Sequence, residues 1–172
     1  MSDRTLKLLL VDPDPVFRAG LRLVTEQFPD LQVAAEAETG AAALQILAAP
    51  SGKATTSTTS IPLPTVDLVV LELGLSHSQP KHLLGLQLCR QLKTQYPNLP
   101  VLLLSSLQES TQLAAARAIG VDGYCPKGTS VSELVAAMRQ VAAGRYYWVE
   151  AKREQGELFL EQRGRKERLP HL

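Results

Sequence analysis

Apolar residues along most of the chain alternate between short continuous runs and longer segments in which they recur every three or four positions. A short continuous run is typical of a buried strand, and the wider spacing is typical of a helix that packs on one face. The pattern predicts strands over Leu6–Val11, Leu31–Ala35, Val66–Leu73, Val101–Leu104 and Val121–Cys125. It predicts helices over Val16–Phe28, Gly40–Ala49, His82–Tyr96, Gln108–Ile119 and from a cap at Ser130 through Ala143.

Residues at the ends of these segments support the predicted helices. Thr39 and Ser130 are N-cap residue types, and Glu133, three positions after Ser130, completes a capping box. Gly120 and Gly144 come directly after the last residues of two helices, where glycine commonly ends a helix. The predicted order is therefore strand then helix, repeated five times.

The predicted strands are apolar nearly throughout, which is typical of strands that are covered on both faces. This favours the α/β class, with a doubly wound, five-stranded parallel (βα)5 sheet between two layers of helices. In such a sheet the functional residues lie at the carboxyl ends of the strands. The candidates there are Asp12, Glu72, Ser105 and the residues after Cys125.

Two segments fall outside this compact unit, which we place at residues 1–145. Residues 50–64 are rich in Ser, Thr and Pro, and predict a long flexible loop before the third strand. Residues 146–172 mix charges with few apolar residues, and predict a charged tail or linker. One arrangement of this tail is a helix that buries Tyr147 and Trp148 on one side.

Composition excludes several classes of function. The 172 residues carry a formal charge of +1, so no global field attracts nucleic acid or an anionic membrane, and no apolar run has the length of a membrane span. Cys89 and Cys125 lie in apolar stretches and match no metal or disulfide spacing, which favours reduced thiols and a cytoplasmic location. His77 and His82 have no third ligand nearby in the sequence, so we expect solvated loop histidines.

Four stretches carry a more specific signal: LLLVDPDPVFRAGL, VDLVVLELGL, VLLLSS and AIGVDGYCPKGTSVSELVAAMRQVAAG. In this order, and at predicted strand ends, they resemble the receiver domain of bacterial two-component response regulators, which has the CheY-like, flavodoxin-like fold. The chain is most similar to the NarL/FixJ-type receivers. The resemblance implies roles at Asp12 (the first of two acids), Glu72 (the phosphoacceptor position), Ser105 (the phosphoryl-binding hydroxyl), Tyr124 (the switch aromatic) and Lys127 (the phosphoryl-pairing lysine).

The sequence departs from that family at the acidic pocket. The second acid is replaced by Pro13, which has no side-chain oxygen, and the acceptor aspartate is replaced by Glu72. Of the family's Mg²⁺ ligands only Asp12, Glu72 and the backbone of Gly74 remain, so we expect no cofactor and at most a weak Mg²⁺ site. The extra methylene of Glu72 moves the carboxylate by roughly 1.5 Å, and a misplacement of about 1 Å can cost about 100-fold in a reaction that depends on positioning. Because the missing acid also removes charge stabilisation, we expect no useful phosphoryl transfer.

Three states of the pocket follow from these residues. In the first state, Glu72 imitates a phosphorylated aspartate, pairs with Lys127 and holds Ser105 and Tyr124 inward. Alternatively, Glu72 forms an inert ion pair with Lys127, or regulated phosphorylation survives in residual form. In each case the sequence shows neither a glycine-rich phosphate loop nor a nucleophile beside a base. We therefore do not expect an independent enzyme.

The functional hypothesis is a pseudo-receiver, a phosphorylation-independent protein–protein interaction module in signal transduction. The alternative is a working response regulator receiver, phosphorylated by a histidine kinase, that controls transcription through a domain not in this chain. The resemblance implies a homodimer or a protein partner at the face formed by the fourth helix, fifth strand and fifth helix. That face would include Arg117, Tyr124, Val131 and Arg139. We expect no direct nucleic-acid or membrane binding by this chain.

Overall fold

Five strand–helix units follow one another along the chain in the computed structural model, which describes residues 4–49, 65–75, 82–106, 110–150 and 159–161. The strands are β1 Leu6–Val11, β2 Leu31–Ala37, β3 Leu68–Leu71, β4 Val101–Ser105, β5 Gly123–Pro126, β6 Tyr147–Glu150 and β7 Phe159–Glu161. The helices are α1 Pro15–Thr25, α2 Gly40–Ala48, α3 His82–Gln95, α4 Ser110–Ile119 and α5 Val131–Ala142. The predicted α/β fold is confirmed. The predicted loop at 50–64 and the histidine at position 77 lie outside the described residues.

The sheet has the strand order β2-β1-β3-β4-β5-β6-β7 within the described residues. All neighbours from β2 to β6 are parallel, and β6 pairs with β7 in the antiparallel sense. The direction in which strands are added reverses at β1, which lies between β2 and β3. A crevice forms at the carboxyl ends of the strands beside such a reversal. The residues that follow β1 and β3 therefore lie next to each other at this edge.

Side chains from the two faces of the sheet enter two separate cores. Leu9 and Val11 of β1 pack with residues of α2, α3 and α4, whereas Leu8 and Leu10 pack with residues of α1 and α5. Burial on both faces explains why the strand sequences are apolar without alternation.

Short polar signals begin and end the helices. Thr39 accepts a hydrogen bond from the backbone of α2, and Ser130 and Glu133 form the predicted capping box of α5. Gly120 and Gly144, at φ values of 95° and 79°, adopt the left-handed conformation that glycine tolerates after a helix. These residues set where the helices begin and end.

The C-terminal segment corrects the sequence-based expectation of a tail that could be helical. Tyr147 and Trp148 belong to β6, which lies parallel to β5, and β7 continues the sheet. Tyr147 and Val149 enter the core beneath α5, whereas Trp148 enters the core on the opposite face. Alternation across a sheet buries all three side chains, which one face of a helix would not do. The predicted five-stranded sheet is present, and these strands extend it.

Candidate functional site

Four strand ends bring the candidate residues together at one edge of the sheet. Asp12 follows β1, Glu72 follows β3, Ser105 ends β4 and Lys127 follows β5. The backbone N–H of Lys127 donates to the carbonyl of Ser105 at 3.1 Å, so the turn after β5 is tied to the end of β4. The predicted residues of the acidic pocket are therefore neighbours in space, although they are spread over more than a hundred positions of sequence.

The Glu72 carboxylate is buried, with 4% of the residue exposed, and it receives five hydrogen-bond donors. Its Oε1 atom accepts from the backbone N–H of Gly74 at 2.9 Å and from the hydroxyl of Ser105. Its Oε2 atom accepts from the N–H and the hydroxyl of Ser106, both at 3.3 Å, and lies 3.0 Å from Lys127 Nζ. Both carboxylate oxygens are thus fully engaged.

The Lys127 ammonium bridges the two acids of the pocket. Its Nζ atom lies 2.6 Å from Asp12 Oδ2 and 3.0 Å from Glu72 Oε2. The aromatic ring of Phe17, from the first turn of α1, lies beneath the ammonium at 3.9 Å from the ring centroid. One cation therefore serves two carboxylates and an aromatic face, which fixes its position.

The hydrogen bonds around the pocket keep this cluster ionised. Burial by itself would raise the pKa of Glu72, but the hydrogen bonds from Gly74, Ser105 and Lys127, with the charge of Lys127, lower that pKa overall. Burial would lower the pKa of Lys127, but its bonds to Asp12 and Glu72 raise it above the usual value. At neutral pH Glu72 is therefore a carboxylate and Lys127 an ammonium ion.

Asp14 has a structural role outside the pocket. As the N-cap of α1, its Oδ1 atom accepts from the backbone N–H groups of Val16 at 2.9 Å and Phe17 at 3.2 Å. Its own N–H donates to Asp12 Oδ1 at 2.8 Å, so Asp14 orients Asp12 only through the backbone. Its carboxylate does not replace the acid that is missing at Pro13.

The donor set does not fit a magnesium ion. Mg²⁺ requires oxygen ligands in near-octahedral geometry, but the two pocket carboxylates both pair with Lys127, and Pro13 supplies no oxygen. The backbone N–H of Gly74 also donates to the Glu72 carboxylate. No group of three or more metal-ligating acids, histidines or cysteines was found among the residues that the structure describes. The ammonium of Lys127 supplies the positive charge in this pocket.

Tyr124, at the position of the switch aromatic, is directed inward. It is 2% exposed, and its ring packs against Trp148 with centroids 6.2 Å apart. Burial, followed by the charges of Cys125 and Glu72, raises the pKa of Tyr124 to about 12, so its hydroxyl stays protonated. The Arg117 guanidinium lies over the Trp148 ring, 4.6 Å from its centroid.

Of the residues expected at a partner face, Arg117, Val131 and Arg139 are exposed, whereas Tyr124 is buried. Arg117 contacts Trp148, and the ring of Tyr124 packs against the same tryptophan. Arg139 makes two 2.8 Å hydrogen bonds to Asp30. Val131 is 44% exposed at the start of α5.

Two contacts were missed from the sequence. Ser106 donates twice to Glu72, and Phe17 supports Lys127. The Ser105-Ser106 pair after an apolar strand was a signal for the first contact, because both a hydroxyl and a backbone N–H face the site at a strand end. The sequence carried no comparable signal for Phe17, because a position in the first turn of α1 predicts only core packing.

The remaining candidates, the two cysteines, are uncharged thiols. Cys89 and Cys125 are free and buried, and burial raises the pKa of each thiol to about 12.

Among the described helices, none combines the length and apolar character needed to span a bilayer.

Comparisons with known proteins identify the family to which this fold belongs. The profile of the response regulator receiver domain family matches residues 8–139. The chain is 32% identical over 148 residues to the Ycf55-like protein of Synechocystis sp., a match that covers 86% of this chain and 23% of that protein. It is 30% identical over 140 residues to the DNA-binding transcriptional activator DevR/DosR of Mycobacterium tuberculosis, covering 81% of this chain and 56% of that protein. The chain thus spans only part of the length of these relatives.

Solved structures show the same fold. A LuxR family DNA-binding response regulator from Silicibacter pomeroyi superposes with a TM-score of 0.64 at 26% identity, covering 85% of this chain and 98% of that chain. The signal receiver domain of the response regulator NarL from Mycobacterium tuberculosis superposes with a TM-score of 0.64 at 24% identity, covering 83% of this chain and 99% of that chain.

Proposed function

The chain belongs to the response regulator receiver domain family, and we propose that within this family it is a phosphorylation-independent protein–protein interaction module. The observation that carries the proposal is the Glu72 carboxylate, whose two oxygens receive five donors in a buried pocket. A side chain of the protein itself makes the contacts with Ser105 and Lys127 that a phosphoryl group would make in a working receiver.

The same contacts argue against phosphoryl transfer to Glu72. A carboxylate oxygen that attacks phosphorus must give up its hydrogen bonds, and here the donors hold both oxygens in place. The transition state also depends on a metal ion that bridges the reacting oxygens. The pocket supplies an ammonium at that point instead, and Pro13 removes a ligand.

The arrangement favours a fixed, active-like state over an inert pair. An inert pair needs only Glu72 and Lys127, whereas here Ser105 and Ser106 also bond to the carboxylate and Tyr124 is buried. Each of these charge-assisted bonds holds a strand end in one position. We infer that the module presents one conformation to its protein partner without a phosphorylation cycle.

A second candidate is a phosphorylated receiver that controls transcription through another domain. It is favoured by the similarity to a relative named as a DNA-binding transcriptional activator. The acceptor position and the second acid count against it, because the first is Glu72 and the second is Pro13.

Intact mass after incubation with acetyl phosphate and Mg²⁺ separates the two candidates. The proteins compared are the wild type, Glu72→Asp, and Glu72→Asp combined with Pro13→Asp. We expect the wild type to stay unmodified and the double variant to gain one phosphoryl group, because it regains the shorter acceptor and the missing acid. A phosphoryl mass on the wild type that disappears in Glu72→Gln would refute the proposal.

A further inference from the structure

The outer edge of β5 is occupied by the chain's own β6. The two strands are parallel, and Gly123 pairs with Tyr147 while Tyr124 pairs with Trp148. The backbone N–H of Tyr147 donates to the carbonyl of Asp122 at 3.2 Å. The side chains of Tyr147, Trp148 and Val149 are buried, and even Trp148 is only 9% exposed. The segment is thus an integral strand that covers the β5 edge from within the same chain.

Gly123 allows this close approach. A Cβ atom at Gly123 would lie 2.7 Å from the backbone oxygen of Tyr147, 2.8 Å from a methyl of Val141 and 2.9 Å from a methyl of Leu102. These distances are shorter than carbon atoms tolerate, so any larger residue would force β6, α5 or β4 to shift. The absence of a side chain at this position is therefore a condition for β6 to pack here.

A continuous series of contacts joins the pocket to β6. Ser105, at the end of β4, bonds to Glu72 and pairs with Pro126 at the end of β5. Two residues earlier in each strand, Leu103 pairs with Tyr124. The Tyr124 ring packs against Trp148 of β6, and the Arg117 guanidinium of α4 lies over the same Trp148 ring. Paired strands and one aromatic contact thus link the acidic pocket to β6.

We propose that β6 is the output element of this domain: it covers Tyr124 in place of a second protein, and the closed Glu72 pocket holds it in one position for the polypeptide that follows. The inference rests on the proposed function, because the pocket on which β6 depends is the one closed by Glu72 and Lys127. A partner or a second copy then has no access to the β5 edge. The fixed conformation is presented through β6 rather than through that edge.

Trp148 is the only tryptophan in the sequence, so its fluorescence reports on β6 alone. Glu72→Gln removes the pocket charge at nearly constant size. The matched control is Asp14→Asn, which removes a neighbouring carboxylate charge and keeps the α1 cap, because asparagine caps as well as aspartate. We expect Glu72→Gln to shift the Trp148 emission to longer wavelength and to increase acrylamide quenching, with Asp14→Asn unchanged. Adding Tyr124→Ala should abolish the response to Glu72→Gln.

A general loss of stability is separated from transmission by Leu21→Ala. This change weakens the core on the other face of the sheet, beneath α1. If Leu21→Ala alters Trp148 as much as Glu72→Gln does at equal loss of unfolding free energy, the inference is wrong. It is also wrong if Glu72→Gln leaves emission and quenching at their wild-type values.

The phosphorylation assay on the same proteins keeps the two conclusions apart. A wild type that accepts phosphate on Glu72 while Trp148 still responds to Glu72→Gln would refute the proposed function and support the role of β6. A wild type that stays unmodified while Trp148 is insensitive would leave the proposed function standing and refute the role of β6.

Discussion

Replacing Lys127 by methionine is the sharpest test of the pocket. The change keeps an unbranched side chain of similar length on the Phe17 ring but removes the ammonium that bridges Asp12 and Glu72. Both carboxylates would then be buried near each other without their shared cation. We expect Lys127→Met to destabilise the fold.

The size of this loss follows from the burial of the three groups. Removing one partner of a buried ion pair typically costs 3–5 kcal/mol, because an uncompensated charge is left behind. Here Asp12 and Glu72 are buried, but the Lys127 side chain is 20% exposed, which places the loss near the lower end, at about 3 kcal/mol. For a chain of this length, that corresponds to a fall in Tm of about 6–12 °C.

The assay is urea unfolding followed by Trp148 fluorescence between pH 3 and pH 8. The pKa of Glu72 is lowered in the folded wild type, so its contribution to stability is present above the unfolded pKa and is lost as the pH falls through the folded value. In Lys127→Met the hydrogen bond and the charge of Lys127 no longer lower that pKa, so the variant loses less stability in acid than the wild type does. The stability difference should therefore narrow as the pH drops below about 4.5.

Two controls define the result. Arg90→Met removes an exposed cation on α3, and we expect a change within about 0.5 kcal/mol. Lys127→Met combined with Asp12→Asn and Glu72→Gln should recover most of the loss, because no buried charge remains. A loss below about 1 kcal/mol at neutral pH, or a difference that widens in acid, would refute the reasoning.

Two further predictions concern packing. Gly123→Ala should lower the free energy of unfolding in urea by about 1–3 kcal/mol, because the added Cβ meets three close groups. The control is Gly128→Ala, whose Cβ meets nothing within 4 Å and which should be nearly neutral. Equal effects of the two changes would contradict the close approach of β6. Cys89 and Cys125 should react slowly with a thiol reagent in native protein and rapidly in urea, because burial raises both thiol pKa values to about 12. Fast labelling of one of these cysteines in the native protein would show that the core around it opens readily.

The strand and helix order was predictable because it rests on local periodicity. Continuous apolar runs identified β1 and β4 to within a residue, and the cap at Ser130 with Gly144 located α5. The resemblance to receivers then placed Glu72 after β3 and Lys127 after β5, and the structure brings their side chains together at the carboxyl edge of the sheet.

Tertiary structure decided the contacts that make the pocket. A serine pair at a strand end indicates that Ser106 faces the site but does not identify Glu72 as its partner, and nothing local to Phe17 indicates that it supports Lys127. These partners are far apart in sequence. Asp14 is next to Pro13, but the start of α1 turns its carboxylate to the helix backbone.

The C-terminal strand shows the same division. Tyr147 and Trp148 were recognisable as apolar residues that need burial, but so short a segment has no periodicity that separates a strand from a helix. The unpaired edge of β5 and the missing side chain of Gly123 decide the outcome, because they provide backbone partners and space for β6. The sequence by itself determined which segments are strands or helices and which polar residues end them. Only the assembled sheet determined which distant groups meet, since that depends on strand order and close packing.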